Sequence, residues 1–139
     1  MHRPLTHSLV HAIDRLSEPS SDSPFAIVRR KASEVLGTSF NYHQVDVTEV
    51  GQLNDVVQDI ASRHGRLDGL IAAAGIQQET PALEYTAEDV NRMLNTNVTG
   101  VFMTAQAVAR QMVQLGNGGS MVLIASMSGT VANRGLICP

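Results

Sequence analysis

The chain has 139 residues, 43% of them hydrophobic and 17% charged, with a formal net charge of -3. The length suits one globular domain, and no Lys/Arg block marks a nucleic-acid or anionic-membrane partner. The longest apolar runs fall far short of the ~20 residues that cross a bilayer. His11 and Asp14 interrupt any signal-like stretch, and one cysteine, Cys138, allows no internal disulfide, so a cytoplasmic protein is expected.

In chain order, "SLVHAI" (8–13) reads as a short strand ending at Asp14, followed by a Ser/Pro/Asp-rich loop. "FAIVRRKASEVLG" carries Phe25, Val28, Ala32, Val35 and Leu36 at helical spacing, with Gly37 as its stop. "FNYHQV" (40–45) is rich in strand formers. Thr48 is a candidate cap for a helix whose stripe is Val50, Leu53, Val56, Val57 and Ile60, ended by Gly65. "LDGLIAA" (67–73) predicts a strand covered on both faces. Thr86 and Asp89 predict a capping box that opens a short helix. A longer helix follows with Val98, Val101, Phe102, Ala105, Val108, Ala109 and Met112. "LGNGG" breaks it, and "SMVLIA" predicts a last, buried strand. The order β-α-β-α-β-α-β implies an α/β fold, a Rossmann-like parallel sheet doubly wound with helices.

Such sheets bind ligands at the carboxyl ends of their strands. The residues there are Asp14, Asp46, Ala73, Ala74, Gly75 and Ser126. An acid at Asp14 suits the two hydroxyls of an adenosine ribose, though a turn aspartate reads equally well. Asp46 is alternatively the first residue of a capping turn. Small residues at 73–75 let a flat ring or a ribose approach the backbone, or simply pack against a helix. Asn97, at the start of the long helix, reads on its own as a cap. Ser126 has no Gly-x-Ser-x-Gly around it, which argues against a hydrolase nucleophile. The five histidines make no metal pattern, and "GNGG" (116–119) precedes a strand rather than a helix, the wrong setting for a phosphate loop.

Taken together, these blocks resemble the classical short-chain dehydrogenase/reductase family. "DVT" (46–48) resembles its adenine-contacting Asp-Val, here Asp46 and Val47. "LIAAAG" (70–75) resembles its Asn-Asn-Ala-Gly segment, with Ala72 and Ala73 in place of the asparagines. "NVTG" (97–100) is similar to its Asn-Val-x-Gly, and "VLIASMSG" (122–129) to its fifth strand and catalytic serine. "ASMSGTVANRG" is nearest to fungal polyol and ketose reductases of the mannitol and sorbose type. The extended branch, with nucleotide-sugar substrates, fits the "NVTG" and "ASMSG" blocks less well.

The resemblance implies an NAD(P)-dependent oxidoreductase acting on a secondary alcohol or carbonyl, with a homo-oligomeric parent and a dinucleotide held by Asp14, Asp46, Val47, Ala73, Ala74, Gly75 and Asn97. It implies that Ser126 orients the substrate carbonyl, with Ser128 as a rival, and that Asn97 carries a proton-relay water. The family's acid/base is a tyrosine in Tyr-x-x-x-Lys; neither Tyr42 nor Tyr85 has lysine four residues on. Its glycine-rich pyrophosphate turn has no counterpart either. The expectation is therefore a partial NAD(P)-binding domain over 1–139, truncated at both ends, running from the family's second strand to its fifth. In the family's strand order the first strand separates the second from the fourth, so those two either pair directly here or leave unpaired edges. Asp14 favours NAD, whereas Arg15 would suit the 2′-phosphate of NADP; the balance goes to NAD. The expected alternative to an inactive enzyme fragment is a non-catalytic chain that associates with a full-length homologue, using the helix near 95–115.

Overall fold

The computed structural model describes residues 9–11, 41 and 43–131. The expected helix over 25–37, Asp14, Tyr42 and Cys138 lie outside the described residues.

Three short strands form one parallel sheet: β1 Leu9–His11, β2 Gly69–Ala72 and β3 Ser120–Leu123, in the order β1-β2-β3. Leu9 lies opposite Gly69, and Gly69 opposite Ser120. Of the two expected arrangements, the strand at the start of the chain thus pairs directly with the one at 69–72. Phe40 and Tyr42 of the expected strand over 40–45 lie outside the described residues, and the described ones, Asn41 and His43–Val45, enter no ladder. Strand-forming residues become a strand only where a neighbour takes their peptide groups. Val45 and Val47 are nonetheless in the core.

Helix α1, Val50–His64, buries Leu53, Val57 and Ala61 along the stripe that the sequence predicts. It ends at Gly65, whose φ of 65° is the left-handed conformation that glycine adopts without a Cβ clash. Thr48 does not cap it. Its hydroxyl and N–H both donate to Asp46 Oδ1, at 2.7 and 2.9 Å, so the side chain is spent on the preceding turn. Helix α2, Ala87–Leu94, does open with the expected capping box: Thr86 Oγ1 accepts from the Asp89 N–H and donates to Asp89 Oδ2.

Helix α2 runs through a π-helical segment, Asn95–Gly100, into helix α3, Val101–Leu115. Thr104, Ala107, Val108 and Met112 are buried, whereas Val98 and Phe102, expected in the core, are exposed. Helices α1 and α3 pack on each other, and α3 lies on the β2 face that buries Leu70 and Ala72. Helix packing is therefore described on one face of the sheet only. Strand β3 departs from expectation: all four of its residues are exposed. Its unbroken apolar run reads as two-sided burial, but no described element covers its outer edge.

Gly100 is where this packing is tightest. A Cβ there would meet Val47 Cγ2 at 2.6 Å. Gly100→Ala is expected to destabilise the chain by about 1–3 kcal/mol through overpacking, while Gly51→Ala, with open space in α1, should stabilise it by about 0.5–1 kcal/mol; urea denaturation followed by circular dichroism reads both signs. The capping box gives a pH dependence. Asp89 is held below its ordinary range, first by the Thr86 hydroxyl and then by Gln78. Its contribution is complete above the unfolded carboxylate pKa of about 3.9 and fades as pH falls through the lower folded value. Amide exchange in α2 should accelerate in that acid window, and Asp89→Asn should remove that part of the dependence.

Candidate functional site

The end of β2 feeds Ala73, Ala74 and Gly75, three residues whose small side chains leave the backbone open. Directly after them, the Ile76 peptide is gripped from both sides by one side chain. Its N–H donates to Asn97 Oδ1 at 2.8 Å, and Asn97 Nδ2 donates to the Ile76 carbonyl at 2.9 Å. A carboxamide is the neutral group that offers both an acceptor and a donor in one plane, so it can match a peptide. Asn97 sits in the π-helical segment, which displaces its side chain from the position a regular helix would give it. The segment "NTNVTG" favours this local irregularity, because Asn and Thr side chains compete with helical hydrogen bonding.

At the end of β3, Ser126 Oγ accepts from the Ser128 N–H at 3.1 Å and starts a short 3-10 turn, Met127–Gly129. A cleft of about 490 Å³ lies between these two strand ends. It is lined by Ala73, Ala74, Gly75, Asn97, Ser126 and Ser128, with Ile76, Gln77, Val98, Ile124, Ala125 and Gly129 completing its wall. No titratable side chain is among them. Its described residues can therefore position a ligand through hydroxyl, carboxamide and backbone groups, and none of them titrates near neutral pH.

A second cleft of about 930 Å³ is lined by Asp46, Thr48, Glu88, Arg92, Asn95 and Thr99, among others, and also by Ile76. The two clefts therefore adjoin at the residue that Asn97 holds. Asp46 reaches this cleft while its carboxylate pins Thr48; the capping-turn and ligand-facing readings of Asp46 describe the same residue. Val47 points the other way. The residue as a whole is 1% exposed, under Gly100, and lines neither cleft.

Five of the residues singled out in the sequence, Ala73, Ala74, Gly75, Asn97 and Ser126, thus line one cleft, Asp46 lines the other, and Asp14 lies outside the described residues. Sequence reasoning missed Ile76, because a residue used through its peptide leaves no side-chain signature. It also missed Arg92, which joins the loop to α2 through Gln78 Oε1 and Asp89; the Asp89–Arg92 spacing of three was the available signal.

Among known proteins, the family described as short chain dehydrogenase matches residues 18–138. A short chain dehydrogenases/reductase of Aspergillus versicolor, notP′, is 37% identical over 97 residues, 69% of this chain and 33% of that protein. An NADP-dependent mannitol dehydrogenase of Alternaria alternata is 34% identical over 104 residues, 75% of this chain and 39% of the relative. The crystal structure of an NAD+-bound xylitol dehydrogenase superposes with a TM-score of 0.72 at 29% identity, covering 80% of this chain and 42% of its own. The chain thus spans less than half the length of each of these relatives. With most of its residues matched and the fold shared, the chain belongs to the short-chain dehydrogenase/reductase family.

Proposed function

We propose that these 139 residues form the substrate-orienting and adenine-side portion of an NAD(P)-dependent oxidoreductase site, for a secondary alcohol or its carbonyl of the polyol or ketose type, and that the chain alone does not turn such a substrate over. The observation that carries this is the composition of the smaller cleft: Ser126 and Asn97 face the same space, and none of its described lining residues titrates. In this reading Ser126 orients a carbonyl oxygen and Asn97 holds the wall opposite, with a relay water. Ala73, Ala74 and Gly75 admit the ribose and the flat ring beside it. Asp46, next to the buried Val47, meets the adenine from the adjoining cleft.

The dinucleotide supplies the hydride when bound. These residues suit its two ends; a cluster of backbone N–H groups for the pyrophosphate is not among those lining either cleft. Relatives include an NADP-dependent enzyme and an NAD+-bound one, so the family uses both cofactors. The preference for NAD rests on Asp14. The polyol assignment draws on the mannitol and xylitol dehydrogenases among the relatives together with the "ASMSGTVANRG" stretch.

Reduction of a carbonyl also needs a proton. General acid–base assistance is typically worth about 10²–10⁴-fold, and neither tyrosine of this sequence carries the lysine spacing that would supply it. A serine hydroxyl and an asparagine amide do not titrate near neutrality. A second reading, association with a full-length homologue, is favoured by the outward face of the π-helical segment and α3, where Val98 and Phe102 are exposed and Val113 is 82% exposed.

Calorimetric titration with NADH and NADPH should show binding weaker than about 10 μM, and a panel of sugars and ketones should show no reduction. Sub-micromolar binding, or turnover abolished by Ser126→Ala, would overturn this assignment. Asn97→Ala leaves the Ile76 N–H and carbonyl without their partners and is expected to cost about 1–3 kcal/mol in urea denaturation; an unchanged midpoint would mean that the grip on Ile76 does not hold the loop.

A further inference from the structure

The turn between α3 and β3 is closed by backbone shape and by one side chain. Gly116 and Gly118 have φ of 69° and 64°, the left-handed region that strains any L side chain. Between them, Asn117 Nδ2 donates to the Leu67 carbonyl at 2.6 Å and to the Gly118 carbonyl at 2.8 Å. The first bond ties the turn to Leu67, which is buried just ahead of β2. The turn has no slack. A Cβ on Gly119 would meet Met112 Sδ at 2.7 Å, and the Ser120 N–H takes the Asp68 carbonyl at 3.0 Å. Glycine at 118 thus answers to backbone shape, and asparagine at 117 to the Leu67 carbonyl. Their adjacency has a chemical consequence, and Asn117 is the one asparagine in the sequence followed by glycine.

We propose that Asn117 is a self-modification site, where the chain converts its own carboxamide to aspartate and isoaspartate. The nucleophile is the Gly118 main-chain nitrogen and the electrophile is Asn117 Cγ. The bond to the Gly118 carbonyl folds the carboxamide forward over that residue, and the Gly118 N–H has no acceptor among the described residues. Glycine also has no Cβ to hinder ring closure. The nitrogen bonds to Cγ and gives up its proton; the Cγ–Nδ2 bond breaks, and Nδ2 leaves with that proton as ammonia. Water then opens the cyclic imide. Cleavage at Cγ gives aspartate, and cleavage at the main-chain carbonyl gives isoaspartate; nothing is oxidised or reduced. Asp68 also precedes a glycine and could close the same ring with loss of water, but there the fold opposes it. Gly69 is paired with both β1 and β3, and Arg66 Nε holds both Asp68 oxygens at 2.9 Å. At Asn117, either product breaks the tie, because a carboxylate has no donor for the Leu67 carbonyl and sets negative charge against it. Isoaspartate also lengthens the main chain by one carbon in a turn packed against Met112. The strand that begins there leads to Ser126, so the change loosens one wall of the smaller cleft.

The 139-residue chain, kept folded in mildly alkaline buffer and sampled over days, should convert Asn117 faster than its other asparagines by about tenfold or more. Conversion is read as a mass gain in tryptic peptide 111–134, with fragment ions separating Asn117 from Asn133. In urea denaturation the aged chain should have its unfolded-to-folded ratio raised by about tenfold. Asn117→Gln keeps a carboxamide but needs a larger, slower-closing ring, so on ageing it should keep both its mass and its midpoint. Asn117→Asp, made directly, should match the loss of stability without ageing. An Asn117 that stays intact, earlier conversion at another asparagine, or a converted chain with an unchanged midpoint overturns the proposal.

Discussion

The grip of Asn97 on the Ile76 peptide is the contact on which the rest of the site depends. It joins residues 21 apart in the chain and makes two hydrogen bonds from one side chain. Further along, the same loop is tied by Gln78, whose side chain meets the exposed Arg92 and whose carbonyl accepts from the Tyr85 hydroxyl at 2.9 Å. With the Asn97 grip, Ile76 becomes a fixed point between the two clefts, and the small residues at 73–75 are held open beside it. Aspartate at 97 could accept from the Ile76 N–H but would set a negative charge against the Ile76 carbonyl. Serine could not span both groups. The requirement for asparagine here is thus geometric.

That geometry has a structural cost, met one turn further along. The π-helical segment brings Asn97 to the loop, but π geometry is rare and persists where something compensates it. Two features do so here. The Thr104 hydroxyl, buried, donates to the Gly100 carbonyl at 2.7 Å at the return to regular helix. Gly100 itself lets the helix settle onto Val47, closer than any side chain would allow. The Asn-Val-x-Gly spacing therefore has a mechanical meaning: the asparagine takes the loop, and the glycine three residues later takes the core. Val47 links this core contact back to Asp46, whose carboxylate shapes the turn at the edge of the larger cleft.

Much of this was legible in the residues. Helix α1, its stripe and its glycine stop follow from periodicity, and the capping box at Thr86 follows from side-chain chemistry four residues long. Both are local, and local rules suffice for them. Two departures are matters of what lies alongside. The described residues of "FNYHQV" are strand formers but enter no ladder, and "SMVLIA" is apolar enough for burial yet no described element covers it. A strand is a relation between segments, and a single sequence does not state the neighbour. The exposure of Val98 and Phe102 is local: Val108 and Met112 of the same predicted stripe are buried, and hydrophobic spacing alone does not say which of its positions meet the core. At the cleft, Asn97 and Ser126, which line it with side chains, were singled out in the sequence, whereas Ile76, held through its peptide, was not.

The local chemistry of Ser126 fits an orienting hydroxyl better than a nucleophile. A serine that attacks needs a base to accept its proton, and among the described residues no imidazole, carboxylate or amine lines its cleft. What Ser126 has instead is a donor: the Ser128 N–H occupies one of its lone pairs at 3.1 Å. Accepting a hydrogen bond polarises the O–H and makes it a better donor in turn. Because the accepted bond comes from within the same 3-10 turn, it also fixes where the oxygen sits, leaving rotation of the hydroxyl hydrogen as the remaining freedom. A carbonyl oxygen entering the cleft between Ser126 and Asn97 would meet that hydrogen without displacing any protein contact.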